Sequence, residues 1–257
     1  MPVIIEFSRC IDTYSSAKFE LYNKNKLGFS LLWIGIYVIL LSVGDSISEK
    51  IGIEKLITVP ICIVLVLILC IWIHKQDLRE LYGLCKFQGS IKNYLFFIPL
   101  ILLASTNLWG GFRLNLSVTE TVLYIVSMLC VGFLEELIFR GFLFQALCQE
   151  NLTRAIIISS VTFGIGHIVN LFNGSNIPET LLQICYATAI GFLFTIIFYK
   201  SKSLLPCILT HGVINSLSVF ANADAMTMPM DIAICVFICV VSVGYALYIL
   251  KKIVLFC

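Results

Sequence analysis

Residues 56–73 read LITVPICIVLVLILCIWI, a stretch without a single charged side chain. The hydrocarbon layer of a bilayer is about 30 Å thick, and a helix of about 20 mostly apolar residues crosses it. The run shows no alternation and is too long for a strand of a membrane barrel, so it reads as a spanning helix. Similar runs recur on both sides of it, at 27–43, 94–110, 119–147, 154–172, 180–199, 203–221 and 231–250. With the run at 55–74 they make about eight. In lipid a segment has to satisfy its own backbone groups or close into a barrel, so each run is helical by necessity. The expected fold is all-α: a polytopic transmembrane helical bundle of about eight spans. The run at 119–147 is long enough to tilt or to extend past the bilayer. The run at 203–221 is the weakest, because it contains Pro206, His211 and Asn215.

Composition excludes an ordinary soluble domain. The 257 residues are 60% hydrophobic and 12% charged, against roughly a quarter charged in soluble proteins, and mean hydropathy is +1.00. Seventeen basic and fifteen acidic residues leave a net charge of +2, too balanced to suggest a nucleic-acid partner. The eleven cysteines do not read as a disulfide framework. Cys62, Cys70, Cys130, Cys235 and Cys239 lie inside apolar runs, and no CxxC pair occurs. Most therefore read as small packing residues.

Lysine and arginine mark the cytoplasmic ends of spans. Arg9, Lys18, Lys24 and Lys26 precede the first span, and Lys75, Arg79, Lys86 and Lys92 follow the second. Arg140 and Arg154 belong to the end of the fourth, Lys200 and Lys202 follow the sixth, and Lys251 and Lys252 close the eighth. Only Lys50, Lys55 and Arg113 fall on the other side. This alternation predicts that both termini are cytoplasmic. Residues 1–26 read as a cytoplasmic N-terminal tail without a cleavable signal peptide, and residues 27–257 as a single transmembrane domain. The expected location is the cell membrane, as a multi-pass protein. The stretches NGSNIP at 173–178 and NADAMTMP at 222–229 carry turn chemistry in the outer loops.

A charge at the centre of a lipid-embedded helix costs about 2.5–3.5 kcal/mol even on the gentler insertion scales. Glu135 and Glu136, in VGFLEELIFRGF at 131–142, incur that cost, and Arg140 lies close behind them. His167, His211 and Asn215 are also deep in spans. Glu136 and Arg140 are four apart with the acid first, the favourable order for a helical ion pair. Glu135 points about 100° around the helix and is free to face elsewhere. Phe163 and His167 share one face, as do His211 and Asn215. At about 1.5 Å per residue, Glu135 lies about 24 Å from the outer end of its span. His167 and His211 lie about 20 Å and about 12 Å from the cytoplasmic ends of theirs. These heights permit one common site. Each feature also has a packing reading: an ion pair that locks helices, a satisfied histidine, an interhelical amide, a core phenylalanine. Together on three helices, with little other polar burial, they are hard to explain by packing alone.

EELIFR matches the pattern EExxxR, FGIGH matches FxxxH, and HGVIN matches HxxxN, in that order. The chain thereby resembles the CPBP family of intramembrane proteases, which includes type II CAAX prenyl endopeptidases and bacterial Abi-type proteins. The resemblance covers about 125–220, within a catalytic core of about 119–221. It implies a glutamate protease that hydrolyses a peptide bond of a membrane-associated peptide or protein, near the cytoplasmic side of the bilayer. Glu135 would activate water, His167 would hold and polarise it, and His211 and Asn215 would stabilise the oxyanion. Glu136 and Arg140 would orient Glu135, and Phe163 would contact substrate. The wider family is tied to bacteriocin maturation, self-immunity and CAAX-type processing. No cofactor is implied. A His₂Glu zinc site from Glu135, His167 and His211 is the alternative weighed against that, but no HExxH helix accompanies it. Two other readings stay open: a non-catalytic immunity or scaffold protein that binds a partner through the same cavity, and a proton-coupled carrier. Against the carrier, the chain shows no paired halves with similar broken helices.

Overall fold

A computed structural model of the chain describes residues 25–172 and 174–253. Most of the expected N-terminal tail, residues 1–24, lies outside the described residues. Among the described residues eight helical segments follow one another: α1 Lys26–Ile51, α2 Thr58–Lys75, α3 Ile91–Leu108, α4 Val118–Cys148, α5 Leu152–Leu171, α6 Ile177–Ser201, α7 Leu205–Phe220 and α8 Met228–Lys252. Seven are long and apolar enough to cross a membrane, and α7 is shorter. The chain is a multi-pass integral membrane protein.

Local sequence sets the helix ends. Asn25, Asn151 and Asn176 cap α1, α5 and α6 by accepting backbone N–H groups of Gly28, Arg154 and Glu179. Ser117 and Glu120 form a capping box at the start of α4, which satisfies two amides that the first turn leaves unbonded. Pro178, Pro206 and Pro229 sit in the first turns of α6, α7 and α8, where a missing N–H costs nothing.

Two of the expected spans differ in detail. The run expected at 203–221 becomes thirteen α-helical residues followed by three of 3₁₀ helix. The turn before it is buried rather than at the surface: Leu204 N–H donates to Gly83 O and Ser203 Oγ to Cys85 O, both at 2.8 Å. With its backbone satisfied by the segment after α2, the chain starts α7 inside the protein. The long run expected at 119–147 is not uniform either. Residues Leu137–Phe144 form a π-helix between two α-helical parts, and hydropathy carries no trace of that change.

The central helix is α6. Of its apolar window 56% is buried, against 17% for α1. Its Phe198 and Tyr199 pack into one core with α1, α2 and α4, while Leu193, Phe194, Ile196 and Ile197 pack into a second with α3 and α8. Helix α7 lies against α4 at Gly132 and Gly212, where a Cβ on Gly132 would stand 2.6 Å from the Gly212 nitrogen. That contact admits no side chain and brings the two backbones together.

Hydrogen bonds close the two ends of the bundle separately. At the end bearing the described termini, Lys26 reaches Gln149, Gln145 reaches Leu81 O, and Lys200 reaches Ile253 O. At the opposite end, Glu54 N–H donates to Glu120, Arg113 N–H to Phe220 O, and Asn115 to Val219 O and Ala221 O. Here Lys55 bonds Asp45 at 2.9 Å, with Glu54 3.6 Å away. Burial works against the Lys55 ammonium, but the two carboxylates outweigh it and hold the group above its ordinary value.

Candidate active site

Glu135 and Glu136 end the first α-helical part of α4, immediately before the π-helix. Glu136 and Arg140 are fully buried and lie 3.1 Å apart, Oε1 to Nη1. The same Oε1 is 2.9 Å from His211 Nδ1 on α7. A carboxylate oxygen that accepts from both groups assigns the proton to His211 Nδ1. The rest of the guanidinium lies 4.1 Å above the centre of the Phe163 ring. This aromatic face offers a partner to a cation that, among the described residues, has no hydrogen bond to Nε or Nη2. Gly191 makes room for it, since a Cβ there would come within 3.1 Å of both Nη2 and Phe163.

Glu135 turns the other way. Tyr37 Oη on α1 donates to its Oε1 at 2.6 Å. Its Oε2 is 3.5 Å from His211 Nε2, beyond hydrogen-bonding geometry. The Glu135 side chain is 14% exposed, against 0% for Glu136, and the exposed part faces a cavity.

That cavity has a volume of about 1280 Å³, and Tyr37, Glu135, Phe163, His167, His211 and Asn215 are in its wall. It runs toward the end of the bundle opposite the termini, where Glu54, Lys55 and Asn222 also line it. The cut was expected toward the other, terminus-bearing side, so the cavity leads away from it. His167 opens the 3₁₀ segment of α5, and its Nδ1 is 3.1 Å from Phe163 O. A carbonyl only accepts, so Nδ1 donates and Nε2 of the neutral ring is left as an acceptor. The Phe163 ring is edge-on to His167 and His211 at 5.3 and 5.6 Å. It is a buried wall that orients both imidazoles, and it also borders the cavity. Among the described residues no group of three His, Cys, Asp or Glu side chains is placed to hold a metal ion.

All seven residues singled out in the sequence thus fall in one neighbourhood, five of them in the cavity wall. Two features were missed. His211 is bonded to Glu136, where only Arg140 was expected, because spacing along one helix says nothing of a partner on another. Tyr37 was missed entirely. Its signal was its place near the middle of an apolar span, whereas membrane tyrosines gather at the interfaces.

Residues 117–217 match the family model for type II CAAX prenyl endopeptidase Rce1-like proteins. The chain is 30% identical over 193 residues to a Bacillus subtilis protein named "Putative membrane peptidase YdiL". The match covers 67% of this chain and 72% of that relative. The chain belongs to the CPBP family. At family level it is an intramembrane protease, a hydrolase of membrane-associated substrates. No solved structure matches it significantly. All three motifs of the family core lie inside the matched residues, and α1, α2 and α3 lie outside them.

Proposed function

We propose that the chain is an endopeptidase that cleaves a membrane-associated peptide by water activated at Glu135, without a covalent intermediate. One observation carries the reading: Glu135, His167, His211 and Asn215, from three helices, all line one cavity. In the reaction, a water held by His167 Nε2 loses its proton to Glu135 as its oxygen bonds to the scissile carbonyl carbon. The carbonyl electron pair moves onto oxygen, where Asn215 donates a hydrogen bond and His211, its Nδ1–H held by Glu136, donates from Nε2 when that nitrogen also carries a proton. When the C–N bond breaks, the proton held by Glu135 passes to the leaving amine. A positioned base contributes about 10²–10⁴-fold, and removing one oxyanion donor costs about 10²–10³-fold. Glu136 and Arg140 act through position: the pair fixes His211 Nδ1, and so aims Nε2 toward Glu135.

The lysine and arginine distribution supports an orientation with both termini cytoplasmic, the cavity then opening away from the cytoplasm. Processing of bacteriocin-like precursors, self-immunity and CAAX-type trimming are the substrate classes that membership suggests. The test compares purified protein with Glu135→Ala and His167→Ala on a mixture of membrane-bound peptides, with and without a chelator. The expected outcome is cleavage by the parent alone, indifferent to the chelator. Cleavage that persists in both variants, or none in any, defeats the proposal. A protective cellular phenotype that survives Glu135→Ala would establish the non-catalytic scaffold reading. Loss on chelation with recovery on zinc would establish the metal alternative.

A further inference from the structure

Tyr37 lies on α1, outside residues 117–217 of the family match. It is eleven residues from the start of α1, about 16 Å at 1.5 Å per residue, and so near mid-bilayer. A phenol hydroxyl buried there without a partner costs several kcal/mol; this one donates to Glu135 Oε1 at 2.6 Å. The two carboxylate oxygens are thereby made unequal. Oε1 is occupied by a neutral donor, while Oε2 is buried 3.5 Å from His211 Nε2 and, among the described residues, has no hydrogen bond.

We propose that Tyr37 is a positioning residue for Glu135: its hydroxyl fixes the carboxylate rotamer, and so the direction from which the base meets water. The proposal rests on the reading of Glu135 as the base. The position of α1 is itself held at two points. Phe29 packs on Trp72 and Phe142 with ring centres 5.2 Å away in each case. Asp45 accepts from Lys55 at 2.9 Å and Thr58 at 2.5 Å. Tyr37 stands between these two anchors, so α1 presents its hydroxyl at a set height. A lipid-side helix outside the matched core thus contributes to the reacting carboxylate.

The groups facing this carboxylate come from several elements. Tyr37 approaches from α1 and His211 from α7, Glu136 and Arg140 belong to α4, and His167 of α5 shares the cavity. Asp45 on α1 and Cys62 on α2 are further titratable groups whose charge reaches the phenol. A donor to the ionised form favours that form. Removing it therefore makes Glu135 easier to protonate, whereas lost packing elsewhere would not move a titration.

The test uses the full chain in phosphatidylglycerol–phosphatidylcholine vesicles with the membrane-bound peptide mixture that the parent cleaves. In Tyr37→Phe, which keeps the ring and its packing, kcat is expected to fall about ten- to a hundred-fold, the range of a hydrogen bond to a charged group. KM should stay within about twofold, since the hydroxyl is engaged with Glu135, and the acidic limb of the pH–rate profile should move to higher pH. In the Glu135→Ala background the same change should have no further effect. Infrared difference spectra against Glu135→Gln supply a readout independent of turnover: the carboxylate band should protonate at higher pH in Tyr37→Phe. A Tyr37→Phe variant with parental kcat and an unmoved titration overturns the proposal while leaving Glu135 as the base. Cleavage surviving in Glu135→Ala overturns the reading of Glu135 instead.

Discussion

Glu135 and Glu136 are consecutive in the chain and live in different chemistry. Glu136 is sealed, with one oxygen shared by a guanidinium and an imidazole. Glu135 keeps part of its surface in a cavity, one oxygen under a phenol and the other, among the described residues, without a hydrogen bond. Helix geometry produces the contrast, because neighbouring residues point about 100° apart. The lesson is that burial of an acid does not make it the reacting one. Removing Glu136 or its partner strands an opposite charge in the core; removing Glu135 strands only neutral or cavity-facing groups.

The largest expected effect separates the two acids by function. Glu135→Gln should lower peptide turnover by up to about 10⁴-fold while the thermal midpoint in detergent stays at the parental value. A midpoint that falls along with turnover would erase the distinction between the acids. Next comes Arg140→Met, which leaves Glu136 buried beside His211 alone and should cost about 3–5 kcal/mol of stability. Denaturant titration of the folded signal in mixed micelles measures it, and an unchanged midpoint would mean that His211 suffices to neutralise Glu136.

Gly132→Ala tests how closely both acids depend on the approach of α7. Its new Cβ meets the Gly212 backbone, and overpacking of this kind costs about 1–3 kcal/mol. Turnover should fall by more than the loss of folded protein accounts for, because His211 is displaced from both carboxylates at once. Parental activity in a folded variant would show that the crossing is looser than the site requires. The smallest effect belongs to Lys55→Met at the far end of the cavity, about 0–1 kcal/mol for a partly exposed pair. The folded-state ammonium is raised above its ordinary value of 10.5. Its stabilisation is therefore complete below that value and lost only as pH rises through the higher one. The difference in melting between parent and variant should stay flat from pH 6 to pH 9; a slope within that window would contradict the pairing.

The spans were legible because a bilayer demands runs that no soluble core needs, and all eight expected runs, from 27–43 to 231–250, became helices. The weakness of the run at 203–221 was legible too, in Pro206, His211 and Asn215. What it signified, a start inside the protein on the carbonyls of Gly83 and Cys85, was not. The polar cluster could be found from cost alone, since Glu135, Glu136, Arg140, His167, His211 and Asn215 are expensive in lipid. Their pairing across helices could not. The bond between His211 and Glu136 and the phenol of Tyr37 on Glu135 depend on how separate helices lie together, and no periodicity within one helix encodes that.

The π-helix at Leu137–Phe144 makes the length of the chain a chemical variable. Each of its hydrogen bonds spans one residue more than in an α-helix. Eight such residues turn about as far as seven α-helical ones, so deleting one would let α4 close into regular α geometry while the part beyond keeps nearly its orientation, and Gln145 its bond to Leu81 O. The place of the deletion then decides the outcome. Between Glu136 and Arg140 it shortens the spacing of the buried ion pair from four residues to three; between Arg140 and Gln145 it leaves that spacing alone.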